Sequence, residues 1–167
     1  MGTMQLSRTD NCIDDQIALY GDMVYRIGIL YLRNPQDAED VFQEVFIKLF
    51  SAKTQFESPQ HRKAWLITTT ANQCKNVLRS VWYKRTVALD ELCGAVEDQN
   101  TDEQSDLTRE LLTLPLKYRR VLFLYYFEGY KCEEIGALLH ISTATVRTQM
   151  KRGRELLKCR LLEGEIL

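Results

Sequence analysis

Residues that break regular structure are scarce, with only three prolines and eight glycines among 167 residues. Collagen-like and Pro/Gly-rich disordered classes are therefore excluded, and a composition of 45% hydrophobic and 27% charged residues fits a globular chain with a real core. No apolar run approaches the roughly 18 residues that a membrane span needs. The opening MGTMQLSRTDNC also lacks the charged-then-apolar order of a secretory signal, so the expected place is the cytoplasm, without stable membrane insertion. There are two histidines, and the five cysteines (Cys12, Cys74, Cys93, Cys132, Cys159) include no C-x-x-C pair. That spacing argues for reduced thiols rather than a zinc site, and no metal or cofactor is expected.

The net charge of -1 excludes a uniformly basic surface, but the charges are segregated along the chain. Asp10, Asp14, Asp15, Asp22, Asp37, Glu39, Asp40 and Glu44 make the first third acidic. From Ser58 to Leu89 no acid occurs, while Arg62, Lys63, Lys75, Arg79, Lys84 and Arg85 make that block cationic. Residues 90–110 turn acidic again, and 117–160 are basic. The acidic, polar stretch DELCGAVEDQNTDEQSD buries too little apolar surface to offset its ordering entropy. Its composition predicts a linker over 89–106, between a domain at 1–88 and another at 107–167.

Both flanking regions have helical periodicity and weak strand signals, which predicts an all-α protein of two small helical domains joined by a flexible acidic linker. Ile17, Tyr20, Val24, Ile27 and Tyr31 mark one amphipathic helix over 13–33. Asn34-Pro35 then supplies an N-cap and a first helical residue, and Asp37 complements the dipole of a second helix over about 35–52. There Ala38, Val41, Phe42, Val45 and Leu49 form an apolar stripe opposite Glu39, Asp40, Gln43, Glu44 and Lys48. A third helix is expected from near His61, mixing Trp65, Leu66, Thr69, Asn72, Val77 and Leu78 with Arg62, Lys63, Lys75 and Arg79. Rings and cations on an acid-free helix suit unpaired nucleic acid, because rings stack on bases while cations hold phosphates. A buried tryptophan with solvated basic neighbours would give the same periodicity.

The C-terminal region carries the most specific pattern. Leu111, Leu112, Leu114, Val121, Leu122, Leu124 and Phe127 line a small core, with Pro115 near a helix start and Gly129 as a terminator. In CEEIGALLHISTATVRTQMKRGRELL, Ile135, Leu138 and Leu139 anchor a first helix, Gly136 is the small crossing residue, and Ile141, Val146 and Met150 complete the lock. This is the requirement of a helix-turn-helix at 132–150, with its turn at His140-Ile141-Ser142 and Ser142 as the second N-cap. Histidine stands there where many such turns have glycine. With Val146, Met150, Gly153 and Leu157 turned inward, Ala144, Arg147, Thr148 and Lys151 face out, flanked by Thr145 and Arg152. Arg147 suits a guanine edge, Thr148 a thymine methyl or phosphate, and Lys151, Arg152 and Arg154 the backbone.

Three strings in this order resemble the sigma factors of bacterial RNA polymerase, over roughly residues 15–162. PQDAEDVFQEVFIKLF looks like the helix that grips the polymerase clamp, RKAWLITTTANQCKNVLR is similar to the segment that melts and reads the minus-10 element, and the helix-turn-helix resembles the reader of minus-35. The resemblance is to the two-domain extracytoplasmic function (ECF) type, without the additional regions of housekeeping relatives. It implies a non-enzymatic transcription initiation factor whose partners are core RNA polymerase, promoter DNA and an anti-sigma factor. It further implies a polymerase-binding set of Asp37, Glu39, Asp40, Gln43, Glu44 and Phe46. A minus-10 set would comprise Arg62, Lys63, Trp65, Asn72, Lys75 and Arg79, with a loop around Ser58 to Lys63 helping to capture a flipped base. The minus-35 set would be Ser142, Ala144, Thr145, Arg147, Thr148, Lys151, Arg152 and Arg154. Asn76 departs from the acid of many relatives, and the linker is unusually acidic.

Two other classes remain open on sequence alone. A helix-turn-helix regulator would bind duplex DNA without polymerase, using the N-terminal region as a sensor or dimerisation domain. An enzyme with Cys74 or Cys132 as nucleophile would need His61 or His140 as its base.

Overall fold

The computed structural model describes residues 12–51, 55–85 and 106–165, and every element among them is an α-helix. In order these are α1 (Ile13–Leu32), α2 (Pro35–Ser51), α3 (Pro59–Arg85), α4 (Asp106–Leu112), α5 (Leu116–Tyr126), α6 (Cys132–Leu139) and α7 (Thr143–Glu165). The chain divides into two compact units, Met1–Ser80 and Val81–Leu167. The linker expected at 89–106 lies outside the described residues apart from Asp106, the first residue of α4.

In the first unit, α1 ends where Arg33 turns left-handed (φ 53°) and its N–H donates to the Ile29 carbonyl at 2.9 Å. Asn34 at once caps α2, its Oδ1 accepting the N–H groups of Gln36 (2.9 Å) and Asp37 (3.2 Å). This satisfies two of the orphan donors at a helix start, while Pro35 has none to satisfy. The antiparallel pair closes tightly because Gly28 faces Ala38: a Cβ on Gly28 would lie 3.1 Å from that of Ala38. Val24, Ile27 and Leu30 of α1 are buried, as are Val41, Val45 and Phe46 of α2.

α3 starts two residues before the position expected from periodicity. Ser58 Oγ accepts the His61 N–H at 3.1 Å, and Pro59 takes the first helical position. The stretch expected as a loop up to Lys63 is thus helical from Pro59 onward, because a serine cap followed by proline is itself a start signal. Leu66, Ile67, Thr70, Ala71 and Cys74 form its buried stripe, with Thr70 Oγ1 donating to the Leu66 carbonyl at 2.6 Å.

In the second unit, Leu111, Leu114, Val121, Leu122, Phe123, Ile135, Val146 and Met150 form the core. Arg119 is buried too, and its Nη1 donates to the Leu114 carbonyl at 2.8 Å, holding the turn between α4 and α5. Gly129 takes φ 72° just after α5, where a residue with a Cβ would be strained. The turn between α6 and α7 is His140, Ile141 and Ser142. His140 adopts φ 56°, ψ 43°, so the non-glycine departure noted in the sequence is held in the left-handed region. Gly136 is required by contact rather than by its own dihedrals, since a Cβ there would lie 2.8 Å from the Ile141 carbonyl oxygen. At Gly153, further along α7, a Cβ would lie 2.9 Å from Leu122 Cδ1, a side-chain end that can shift, and 3.2 Å from Tyr118 Cβ.

Candidate nucleic-acid interface

The helix-turn-helix face begins at Ser142, whose Oγ accepts the Thr145 N–H at 3.1 Å and lies 2.8 Å from Thr145 Oγ1. Both hydroxyls are thereby engaged in the cap. Ala144, Thr145, Arg147, Thr148, Lys151 and Arg152 are all exposed, while Val146, Met150 and Gly153 are buried. Thr148 Oγ1 donates to the Ala144 carbonyl at 3.0 Å, so its hydrogen is used within the helix and it offers outward a methyl group and lone pairs. That favours contact with a thymine methyl over donation to a phosphate. Arg147 Nη2 donates to Glu133 Oε1 on α6 at 2.9 Å.

A polar cleft of about 300 Å³ opens between α5 and α7, lined by Lys117, Tyr118, Thr145, Thr148, Gln149 and Arg152. Lys117 and Arg152 bring two cations to it. Lys117 and Tyr118 were invisible to the sequence argument because α5 reads as core, and only the approach of α5 to α7 brings them beside the recognition face. Arg154 is exposed and makes contacts the sequence did not foresee. Its Nε donates to the Tyr126 hydroxyl at 2.8 Å, and its guanidinium carbon lies 5.6 and 5.5 Å from the ring centroids of Tyr125 and Tyr126. It also borders an apolar groove of about 450 Å³ formed by Leu107, Leu111, Leu122, Phe127, Leu157 and Leu161.

On α3 the minus-10 candidates divide. Trp65 is half-buried and meets Phe56 edge-on at 5.7 Å, and Phe56 also meets His61 at 5.5 Å. Arg62 is drawn into this cluster, 5.3 Å above the Phe56 ring, with Nη1 donating to Gln16 Oε1 at 3.2 Å. Lys63 and Lys75 are half-buried, whereas Asn72 and Arg79 stand in solvent. An aromatic cluster with an arginine over one ring and an amide further along the helix is equipped to stack on and hydrogen-bond unpaired bases.

On α2, Glu39, Asp40, Gln43 and Glu44 are exposed and Asp37 is half-exposed. Phe46 is not part of that face: it is 4% exposed and lies between Phe42 (tilted, 4.8 Å) and Phe50 (stacked, 6.4 Å). The apolar groups that α2 does present are Ile47, 63% exposed, and Phe50, 36% exposed. Gln73 of α3 ties the acidic face down, donating from Nε2 to Glu44 while its Oε1 accepts from Lys48 Nζ at 2.7 Å. Burial and the nearby Glu39 carboxylate both raise the Tyr25 hydroxyl above its ordinary pKa.

The thiols give no support to a nucleophile. Burial pushes the Cys74 thiol up to about 12, so it stays protonated at neutral pH. His61 Nδ1 accepts the Glu57 N–H at 3.3 Å. Cys132 and His140 flank opposite ends of α6, separated by about 12 Å of helical rise. No helix among the described residues is long and apolar enough to cross a membrane, and no cluster there could hold a metal ion.

Residues 17–83 match the family model for Sigma-70 region 2, and residues 104–157 match that for Sigma-70 region 4. The chain is 33% identical over 154 residues to the ECF RNA polymerase sigma factor SigE of Mycolicibacterium smegmatis, covering 87% of this chain and 60% of the relative's length. It is 29% identical to RNA polymerase sigma factor SigV of Bacillus subtilis, covering 85% of this chain and 86% of SigV. Among solved structures, the sigma factor RpoE of Bartonella quintana, in complex with the anti-sigma factor NepR, superposes with a TM-score of 0.71 at 21% identity, over 90% of this chain and 96% of RpoE.

Proposed function

The chain belongs to the sigma-70 family, as a sigma factor of the ECF type, and on that premise we propose that it joins core RNA polymerase and directs it to promoters through three separate surfaces. Glu39, Asp40, Gln43 and Glu44 of α2, with Asp37, meet the polymerase, and Ile47 and Phe50 replace Phe46 as the apolar part of that contact. Trp65 and Asn72 hold melted minus-10 bases, with Arg62, Lys63, Lys75 and Arg79 near the phosphates. Arg147 and Thr148 read minus-35 base edges while Ser142, Ala144, Thr145, Lys151 and Arg152 border the backbone.

The observation that carries this reading is the coexistence, in one chain, of an exposed cationic recognition helix and an aromatic, acid-free helix. A duplex-binding regulator has use for the first alone. Base opening is then driven by binding, each extruded base costing a few kcal/mol that stacking on the Trp65 cluster offsets. An anti-sigma factor would act by covering such surfaces, and the apolar groove bordered by Arg154 is one of the right chemistry. The protein works in the cytoplasm, where the polymerase is.

Permanganate footprinting tests the proposal. Thymines near minus-10 should become reactive only when core polymerase and this protein are both present, and Asn72→Ala should reduce that opening more than it reduces minus-35 duplex binding. Tight promoter binding by the protein alone, with no added reactivity in the presence of polymerase, would replace the sigma reading by the regulator.

A further inference from the structure

Two adjacent carboxylates open α6, and they are used differently. Glu134 Oε2 accepts the Lys131 N–H at 2.8 Å and so caps its own helix. Glu133 instead reaches α7, where its Oε1 accepts from Arg147 Nη2 at 2.9 Å. The two side chains of this ion pair are 62% and 67% exposed, so the pair adds little to folding. It does, however, restrain the arginine placed to meet base edges.

The guanidinium is a planar fork with five N–H donors, and Glu133 engages Nη2 alone. Glu133 takes one Nη2 hydrogen, so one paired edge of the fork, Nη1 with Nη2 or Nε with Nη2, stays available, and either supplies the two donors that O6 and N7 of guanine accept. Restraining a flexible arginine before contact lowers the ordering cost of that bidentate bond. The carboxylate also brings a negative charge beside a surface that must approach phosphates, which weakens attraction to any duplex.

We propose that Glu133 is a positioning residue for minus-35 readout: it presents the Arg147 guanidinium to a guanine edge and exchanges general duplex affinity for sequence discrimination. This rests on Arg147 being a base contact. The two effects of removing Glu133 have opposite signs, which separates positioning from a structural role. Loss of a structural residue lowers affinity for every duplex and lowers the melting temperature.

The test uses full-length protein in holoenzyme, bound to a duplex library randomised across minus-35, with Glu133→Ala and Arg147→Ala singly and combined. Glu133→Ala should reduce discrimination at the base pair read by Arg147 by about 5-fold or more, the lower end of what one bidentate pair supplies. It should also tighten binding to non-promoter duplex and leave the thermal midpoint unchanged. Glu133→Gln, which keeps an acceptor oxygen without the charge, should restore part of the discrimination. In the Arg147→Ala background Glu133→Ala should change discrimination no further. If Arg147→Ala relaxes one position while Glu133→Ala leaves the profile intact, the positioning role is refuted and the base contact stands. If Arg147→Ala leaves the profile intact, both are refuted.

Discussion

α3 and α7 are both long helices rich in cations, 27 and 23 residues, yet they hold those cations differently. On α3, Arg62 folds back over Phe56 onto Gln16 of α1, and Trp65 packs edge-on against the same ring. On α7, Lys151 and Arg152 stand in solvent beside Ala144, Thr145, Arg147 and Thr148, while Arg154, further along, lies over Tyr125 and Tyr126. A cation held over a ring gives up long-range attraction and gains aromatic neighbours, which suits a strand whose bases are already unstacked. Cations standing clear keep their attraction for phosphate, which suits an intact duplex. If the proposed roles hold, the surroundings of Arg62 on α3 and of Lys151 and Arg152 on α7, rather than the number of charges, would separate single-strand from double-strand work.

The sharpest way to break this division is to remove one side of it. Gly136→Val sets a Cβ about 2.8 Å from the Ile141 carbonyl, a backbone atom that cannot step aside without moving the turn. It should cost about 1–3 kcal/mol by overpacking and abolish minus-35 duplex binding. Capture of core polymerase should persist, because α2 and residues 59–80 of α3 belong to the other unit. Capture assays and duplex gel shifts on the same preparation check both halves.

A smaller pair of effects sharpens the contrast. Trp65→Ala should weaken promoter opening by about 1–3 kcal/mol per stacked base without altering minus-35 affinity. Lys151→Ala should do the reverse, lowering affinity for all duplexes and reducing the salt slope by about 1. Equal losses of opening and duplex affinity in both variants would erase the distinction between the helices.

The smallest effect concerns the interior of α3. Since the folded Cys74 thiol titrates near 12 and an unfolded one near 8.5, the folded state keeps a proton that the unfolded chain loses. Stability from this source is complete below about pH 8.5 and is lost as pH rises toward 12. Cys74→Ala should flatten the fall of denaturation midpoint across that alkaline range, and in the parent Cys74 should resist thiol reagents that label exposed Cys12 and Cys159.

Local chemistry makes much of this legible in the sequence. Asn34-Pro35 writes the α1–α2 junction in two residues, and Gly136, Ile141 and Val146 write the helix-turn-helix, because each acts within a few residues of itself. Phe46 could not be assigned in that way. Phe42, Phe46 and Phe50 follow one another at four-residue spacing on the edge of the apolar stripe, and only docking in three dimensions decides which of them is buried. The contact of Arg154 could not be read locally either, since its partner Tyr126 lies 28 residues earlier. Glu133 and Lys117 look like ordinary solvated charges until α6 and α5 are set beside α7. The start of α3 is written the same way, because Ser58-Pro59 is the same kind of signal as Asn34-Pro35.

The junction at Arg33 and Asn34 has a mechanical consequence. With no slack between the end of α1 and the cap of α2, and with Gly28 pressed against Ala38, the two helices form a single bent lever. Load applied to the outer face of α2 by a massive partner would pass into α1 and on to Gln16, which grips Arg62 of α3, with no loop in which to dissipate.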